Sequence, residues 1–159
     1  MDYDSTASIT EFAIVVAGFT GLILALAPKE GKINPVVKFR TITMLLYAFS
    51  AAFGSLLPTI MQAYEINDIW RVSSQILIVV LAGNMAATVF TSRFLLSPSQ
   101  RLELKFWMWF LVMAGNSLFI ILLIGSLLSI IALSITGVFI TALVWQLVLS
   151  SILFTRLLL

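Results

Sequence analysis

The sequence contains no histidine and no cysteine, and only 10% of its 159 residues are charged. Without cysteine there is no disulfide and no thiolate nucleophile. Without histidine, the chain lacks the usual base of serine hydrolases and a common ligand of haem and zinc. We therefore predict that the chain is not an enzyme and that it uses no cofactor and no metal ion.

The composition is that of a membrane protein. Hydrophobic residues make up 61% of the chain and the mean hydropathy is +1.12, whereas soluble domains are about 25% charged. Four windows are free of charge: 12–28, 41–64, 72–92 and 106–155. The last would be about 75 Å long as one helix, so it must turn back, and small and hydroxyl residues at 134–137 mark the turn. We predict an all-α integral membrane protein, a single transmembrane domain of five helices over 1–159, with helices at 8–27, 35–62, 68–95, 98–132 and 136–157.

Helix start signals agree with these boundaries. A hydroxyl or amide side chain at the N-cap, followed by proline or by a residue that bonds back, satisfies the free N–H groups of the first turn. Such pairs occur at Ser8 and Glu11, at Asn34 and Pro35, and at Ser97 and Gln100, while Asp68 opens the third helix.

The charges predict the orientation. Five crossings place eight of the nine basic residues on one side, which the positive-inside rule assigns to the cytoplasm. The N-terminus is then outside and the C-terminus inside. The rule also accounts for the net charge of +2, so we predict contact with membrane lipids and no nucleic-acid partner. The eight residues are Lys29, Lys32, Lys38, Arg40, Arg93, Arg101, Lys105 and Arg156, and the ninth is Arg71.

The first predicted helix has a small residue at every fourth position, with Gly18 beside the stripe. Small residues allow helix backbones to approach closely in a membrane. This helix is predicted to be central to packing, either within one subunit or between copies. The stripe consists of Ala13, Ala17, Gly21 and Ala25.

Uncharged polar residues lie near the middle of every predicted helix. Asn84 and Asn116 are each sixteen residues from Gln100, so antiparallel neighbours would hold them at one depth, able to bond each other. Such residues act either as interhelical hydrogen-bonding groups or as the lining of a water or ion path. The predicted polar layer consists of Thr20, Ser50, Asn84, Thr88, Asn116 and Gln146, and Ser73 and Thr91 share a helix face with Asn84 and Thr88.

Two further features allow a structural or a functional interpretation. Pro58 removes a backbone donor to the Gly54 carbonyl, which predicts a kink that is either a static bend or a gate hinge. Glu11 either caps the first helix or, repeated around a symmetry axis, joins Glu65 and Asp68 in an acidic outer mouth.

The predicted function is a homo-oligomeric pore or ion channel that prefers cations, lined by the polar faces of the first and third helices. A pore needs only one polar face, a charged mouth and symmetry. The alternative is a structural or accessory subunit of a membrane complex, bound to a second membrane protein and without transport activity of its own.

The run from Val16 to Leu22, followed by a basic connection and then by Leu56-Leu57-Pro58 and Trp70-Arg71, resembles a pattern in small uncharacterised prokaryotic multi-pass membrane proteins with an AGFxGL first helix. The resemblance covers about the first half of the chain. It implies location in a prokaryotic cell membrane and carries no activity.

Overall fold

A computed structural model describes residues 11, 14, 18, 34–103 and 106–158, and every regular element within these ranges is a helix. Four of the helices are long and apolar enough to cross a membrane, as expected for a membrane protein. Consecutive long helices run in opposite directions. The helices are α1 (Pro35–Ala63), α2 (Ile69–Leu95), the short α3 (Pro98–Glu103), α4 (Phe106–Leu127) and α5 (Ile135–Leu158).

The predicted first helix, at 8–27, lies almost wholly outside the described residues. Glu11, Ile14 and Gly18 are helical and exposed, and a Cβ added at Gly18 would meet no atom within 4 Å. The small-residue stripe of Ala13, Ala17, Gly21 and Ala25 lies outside the described residues, as does Thr20.

The helix starts confirm two of the four predicted caps, and a third, formed by Ser8 and Glu11, involves a residue outside the described ranges. The Asn34 side chain accepts a hydrogen bond from the Val36 N–H at 2.9 Å, with Pro35 in the first turn. At α3 a reciprocal capping box forms, because Gln100 Oε1 accepts from the Ser97 N–H and Ser97 Oγ accepts from the Gln100 N–H. Asp68 is the N-cap of α2, but its side chain makes no capping hydrogen bond.

The predicted end of the fourth helix, at residue 132, is wrong: α4 ends at Leu127. Ser129 has a positive φ of 56°, and the Ser129 and Ile130 N–H groups donate to the carbonyls of Ser126 and Gly125. These are the two bonds of a Schellman motif, which stops a helix. The motif usually has glycine at the left-handed position. Because this chain has serine there, the end of the helix could not be recognised from the residue type.

The end of α1 uses the same device. Glu65 has a φ of 55°, its N–H donates to the Gln62 carbonyl, and the Ile66 N–H donates to the Met61 carbonyl. Both turns lie at the same end of the bundle, because α1 and α4 run in the same direction.

The long helices form a closed bundle in the order α1, α2, α4, α5, with α5 returning to pack most extensively on α1. Its two ends differ in charge. We call one the acidic end, since it carries Glu65 and Asp68 beside Arg71. The other is the basic end, and it carries Lys38, Arg40, Arg93, Arg101 and Arg156 together with one described acidic residue, Glu103.

Three apolar clusters fill the described part of the bundle. The largest lies nearer the acidic end and is built around Leu77, Leu81, Phe139 and Leu143. A second cluster, nearer the basic end, contains Met44 and Leu149 among others, and a small third cluster at the basic end joins Val36, Phe39 and Leu96. On α1 and α4, the polar residues Ser50 and Asn116 lie between members of the first two clusters.

Two glycines admit large side chains from α5. A Cβ at Gly54 would lie 2.5 Å from Leu143 Cδ2, and a Cβ at Gly115 would overlap the ring of Trp145. Helix α1 continues through the buried Pro58 to Ala63, so the predicted kink there remains a prediction. Gly54 allows α5 to pack closely against α1, because Leu143 occupies the space that a side chain at this position would fill.

Candidate functional site

Each long helix contributes one amide or hydroxyl side chain to a common level near its middle. Ser50 comes from α1, Asn84 from α2, Asn116 from α4 and Gln146 from α5. We call these four residues the polar layer. Two of its members, Ser50 and Asn116, lie between the two larger apolar clusters on their helices.

The polar layer is one connected set of hydrogen bonds. Asn84 Nδ2 donates to Ser50 Oγ at 2.8 Å and to Gln146 Oε1 at 3.2 Å. Gln146 Nε2 in turn donates to Asn116 Oδ1 at 2.7 Å. The Ser50 hydroxyl also contacts the Leu46 carbonyl of its own helix at 2.7 Å. All four long helices are thus joined through side chains.

The layer is enclosed within one copy of the chain. Exposure is 9% for Ser50, 4% for Asn84 and zero for Asn116 and Gln146. The sequence left open whether the polar faces meet inside one subunit or around a shared axis. Within the described residues, those of α1, α2, α4 and α5 meet inside one subunit.

The predicted direct bond between Asn84 and Asn116 is replaced by a bridge. The two amides lie at the same level, as their equal spacing from Gln100 predicted, but Gln146 stands between them and bonds both. The reason is the packing of α5, which contacts both α2 and α4. The longer glutamine side chain therefore reaches each asparagine.

A second pair extends the layer toward the basic end. The hydroxyls of Tyr47 and Thr88 lie 3.1 Å apart, and Thr88 Oγ1 donates to the Asn84 carbonyl at 2.8 Å. Tyr47 was not predicted as a site residue. Its position one helical turn before Ser50, matching Thr88 one turn after Asn84, was the available signal, because antiparallel neighbours pair in this order.

The predicted polar face of α2 points into the bundle. Ser73, Asn84 and Thr88 are buried, whereas Thr91 is half-buried. Ser73 Oγ has no hydrogen-bond partner among the described residues, and the same is true of Asn116 Nδ2. The layer is therefore densely but not completely bonded by the part of the chain that the structure describes.

The predicted acidic residues are not part of this layer. Glu65 and Asp68 are exposed in the turn between α1 and α2, and Asp68 is separated from Asn84 by about 24 Å of helix. Glu11 is exposed as well. The separation of Asp68 from Asn84 is the distance expected between an outer mouth and a lining at the middle of the membrane, and the mouth stays a prediction.

The chemistry of the layer is limited to hydrogen bonding. Carboxamides and aliphatic hydroxyls do not ionise near neutral pH, so the four residues are poorly suited to act as a general acid or base. They can hold helices together, or they can bond a water or cation that enters between them.

No family model matches the sequence, and neither a curated protein nor a solved structure is similar to it.

Proposed function

We propose that the chain is a structural or accessory subunit of a membrane complex, with the polar layer acting as the internal clasp of its helices. The observation that carries this proposal is that Ser50, Asn84, Gln146 and Asn116 bond one another inside a single copy. Side chains that bond each other across four helices hold a bundle in one arrangement.

The membrane explains why a clasp is needed. Lipid tails are as apolar as leucine, so burial alone does not favour helix association, and close packing and interhelical hydrogen bonds take its place. The notches at Gly54 and Gly115 supply close packing on the two sides of α5. Together with the layer they favour a preformed bundle.

The outward faces suit a subunit that docks in lipid or against another membrane protein. Large aromatic side chains on three helices are exposed along the bundle. The phenylalanines stack in pairs on α1 and α2, with ring centroids 6.2 and 4.1 Å apart. They are Phe49, Phe53, Phe90, Phe94 and Phe110.

The cation-preferring pore of several copies, which is the function predicted from the sequence, is the second candidate. It requires polar faces directed at a shared axis, whereas the polar residues of α2 lie toward the other helices of the same copy. For this reason the geometry favours the accessory subunit.

Measurements of ion flux and of mass on the purified full chain distinguish the two functions. The purified protein is reconstituted into liposomes for cation flux, and its mass is measured in a mild detergent. We expect flux equal to that of empty vesicles, a mass of one or two copies, and a stoichiometric second protein when the chain is isolated from its native membrane. A closed ring of identical copies with cation flux would overturn the proposal in favour of the pore.

A further inference from the structure

A surface groove of about 380 Å³ runs between α2 and α4 and ends at the basic end of the bundle. The groove is shallow and open to the surroundings. Its walls are apolar except for one arginine. The lining residues are Met85, Ala86, Val89, Phe90, Arg93 and Met113.

A second arginine stands beside the charged end of the groove. Arg101 Nη2 donates to the Arg93 carbonyl at 3.0 Å, and Arg101 Nε donates to the Leu96 carbonyl at 3.2 Å. These two bonds use two of the five N–H donors of the guanidinium group. Both arginines are exposed. The backbone at the end of α2 therefore holds the Arg101 guanidinium beside the last turn of that helix, where Arg93 lies.

We propose that this groove binds an anionic phospholipid, with an acyl chain along the apolar walls and the phosphate held by Arg93 and Arg101. Guanidinium groups bind phosphate through paired hydrogen bonds, and the apolar walls match hydrocarbon. This inference is independent of the proposed function, since an accessory subunit and a pore would both meet lipid.

Charge complementarity favours an anionic headgroup at this position. The basic end also carries Lys38, Arg40 and Arg156 against a single described acidic residue, Glu103, whereas Asp68 lies about 38 Å from Arg93 at the other end of α2. Basic side chains at a membrane surface attract anionic lipids, by about a factor of five in affinity for each residue. Free phosphate shares the headgroup chemistry but leaves the groove unfilled.

The headgroup half of the proposal is tested by native mass spectrometry of the full chain. The protein is titrated with phosphatidylglycerol and with phosphatidylcholine of the same acyl chains. We expect preference for phosphatidylglycerol, about 30-fold weaker binding in the double variant Arg93→Gln with Arg101→Gln, and no change in the control Arg71→Gln at the acidic end. Equal binding of the two lipids, or unchanged binding by the double variant, would refute the proposal.

A single variant distinguishes a loss of lipid binding from a loss of the fold. Arg93→Gln alone leaves the bonds of Arg101 intact, because they go to backbone carbonyls. It should weaken phosphatidylglycerol binding about fivefold, with the helical circular dichroism of the unmodified protein. A correctly folded Arg93→Gln protein with full affinity would count against the site.

The groove half is tested by Ala86→Leu, which fills the exposed wall without changing charge, with Ala63→Leu at the acidic end as control. We expect Ala86→Leu to weaken phosphatidylglycerol binding, and inorganic phosphate not to compete. Two outcomes would contradict the proposal. Displacement by inorganic phosphate with no effect of Ala86→Leu would indicate a free-anion site, and a change of oligomeric mass without a change in lipid binding would indicate a second copy in the groove.

Discussion

The substitution Gln146→Met tests the clasp most directly. Gln146 is fully buried and is the only residue of the polar layer that bonds both asparagines. Methionine keeps the length and the flexible shape of glutamine but has no amide, so the change removes hydrogen bonds with little change in volume.

The expected loss follows from the number of bonds broken. Interhelical side-chain hydrogen bonds in membranes contribute about 0.6 kcal/mol on average and up to about 1.7 kcal/mol each. Losing the bonds from Asn84 and to Asn116 therefore lowers the free energy of unfolding by about 1–3 kcal/mol. This corresponds to a shift of about five- to 150-fold in the unfolding equilibrium.

The assay is unfolding of the purified protein in mixed micelles of mild and denaturing detergent, followed by circular dichroism. The matched control is Thr155→Val on the same helix, since Thr155 is exposed and bonds only the Ser151 carbonyl of its own helix. Its stability should change by less than about 0.5 kcal/mol. A double-mutant cycle of Gln146→Met with Asn116→Leu isolates the 2.7 Å bond, with an expected coupling of about 0.6–1.7 kcal/mol.

Two results would refute the reasoning. One is a Gln146→Met protein as stable as the unmodified chain. The other is zero coupling in the cycle, because the residues would then not interact even though each substitution destabilised the fold. A loss of cation flux in Gln146→Met without a loss of stability would support the pore instead.

Two further substitutions test neighbouring contacts. Gly115→Ala places a Cβ 2.7 Å from Trp145 Nε1 and closer still to two ring carbons, so overpacking should lower the unfolding free energy by about 1–3 kcal/mol in the same micelle assay. Tyr47→Phe removes a hydroxyl that contacts Thr88 and lies close to the Asn116 side chain, and it should cost about 0.6 kcal/mol, less than Gln146→Met.

Each of these variants has a matched control. Gly83→Ala puts the same methyl group into open space, and Tyr64→Phe removes a hydroxyl from a side chain that is 78% exposed. Equal effects of Gly115→Ala and Gly83→Ala would mean that helix propensity, and not the fit of Trp145, sets the result. If Tyr47→Phe lowers the unfolding free energy no more than Tyr64→Phe does, the Tyr47 hydroxyl does not help to hold the helices together.

The sequence predicted the features that depend on local physics. The apolar windows located α1, α2 and α5 to within a few residues, because span length is set by lipid thickness, whereas the predicted helix at 98–132 covers both α3 and α4 and ends five residues too late. Asn34 and the pair of Ser97 and Gln100 predicted two helix starts, because capping involves residues only two or three positions apart. Equal depth of Asn84 and Asn116 followed from counting residues on either side of Gln100.

Features that depend on three-dimensional neighbours could not be predicted in this way. The bridge through Gln146 requires α5 to pack against α2 and α4, and nothing in the spacing of the asparagines gives the position of the last helix. Gly115 and Trp145 are also far apart in the sequence, so their close contact could not be predicted from it. The stop at Ser129 was local, but its residue type is not the one that usually marks a left-handed position.

The placement of Ser50 and Asn116 between the two larger apolar clusters gives the polar layer a role in choosing one bundle over others. Apolar side chains such as Leu81 and Leu149 can slide along a neighbouring helix with small changes in contact energy, because many shifted arrangements also bury them. A shift of one turn, about 5.4 Å, would separate Asn84 and Asn116 from Gln146 and leave their amides without partners in an apolar surrounding. The layer therefore fixes the relative height of four helices, a property that a subunit needs when its outer faces must match another surface in the membrane.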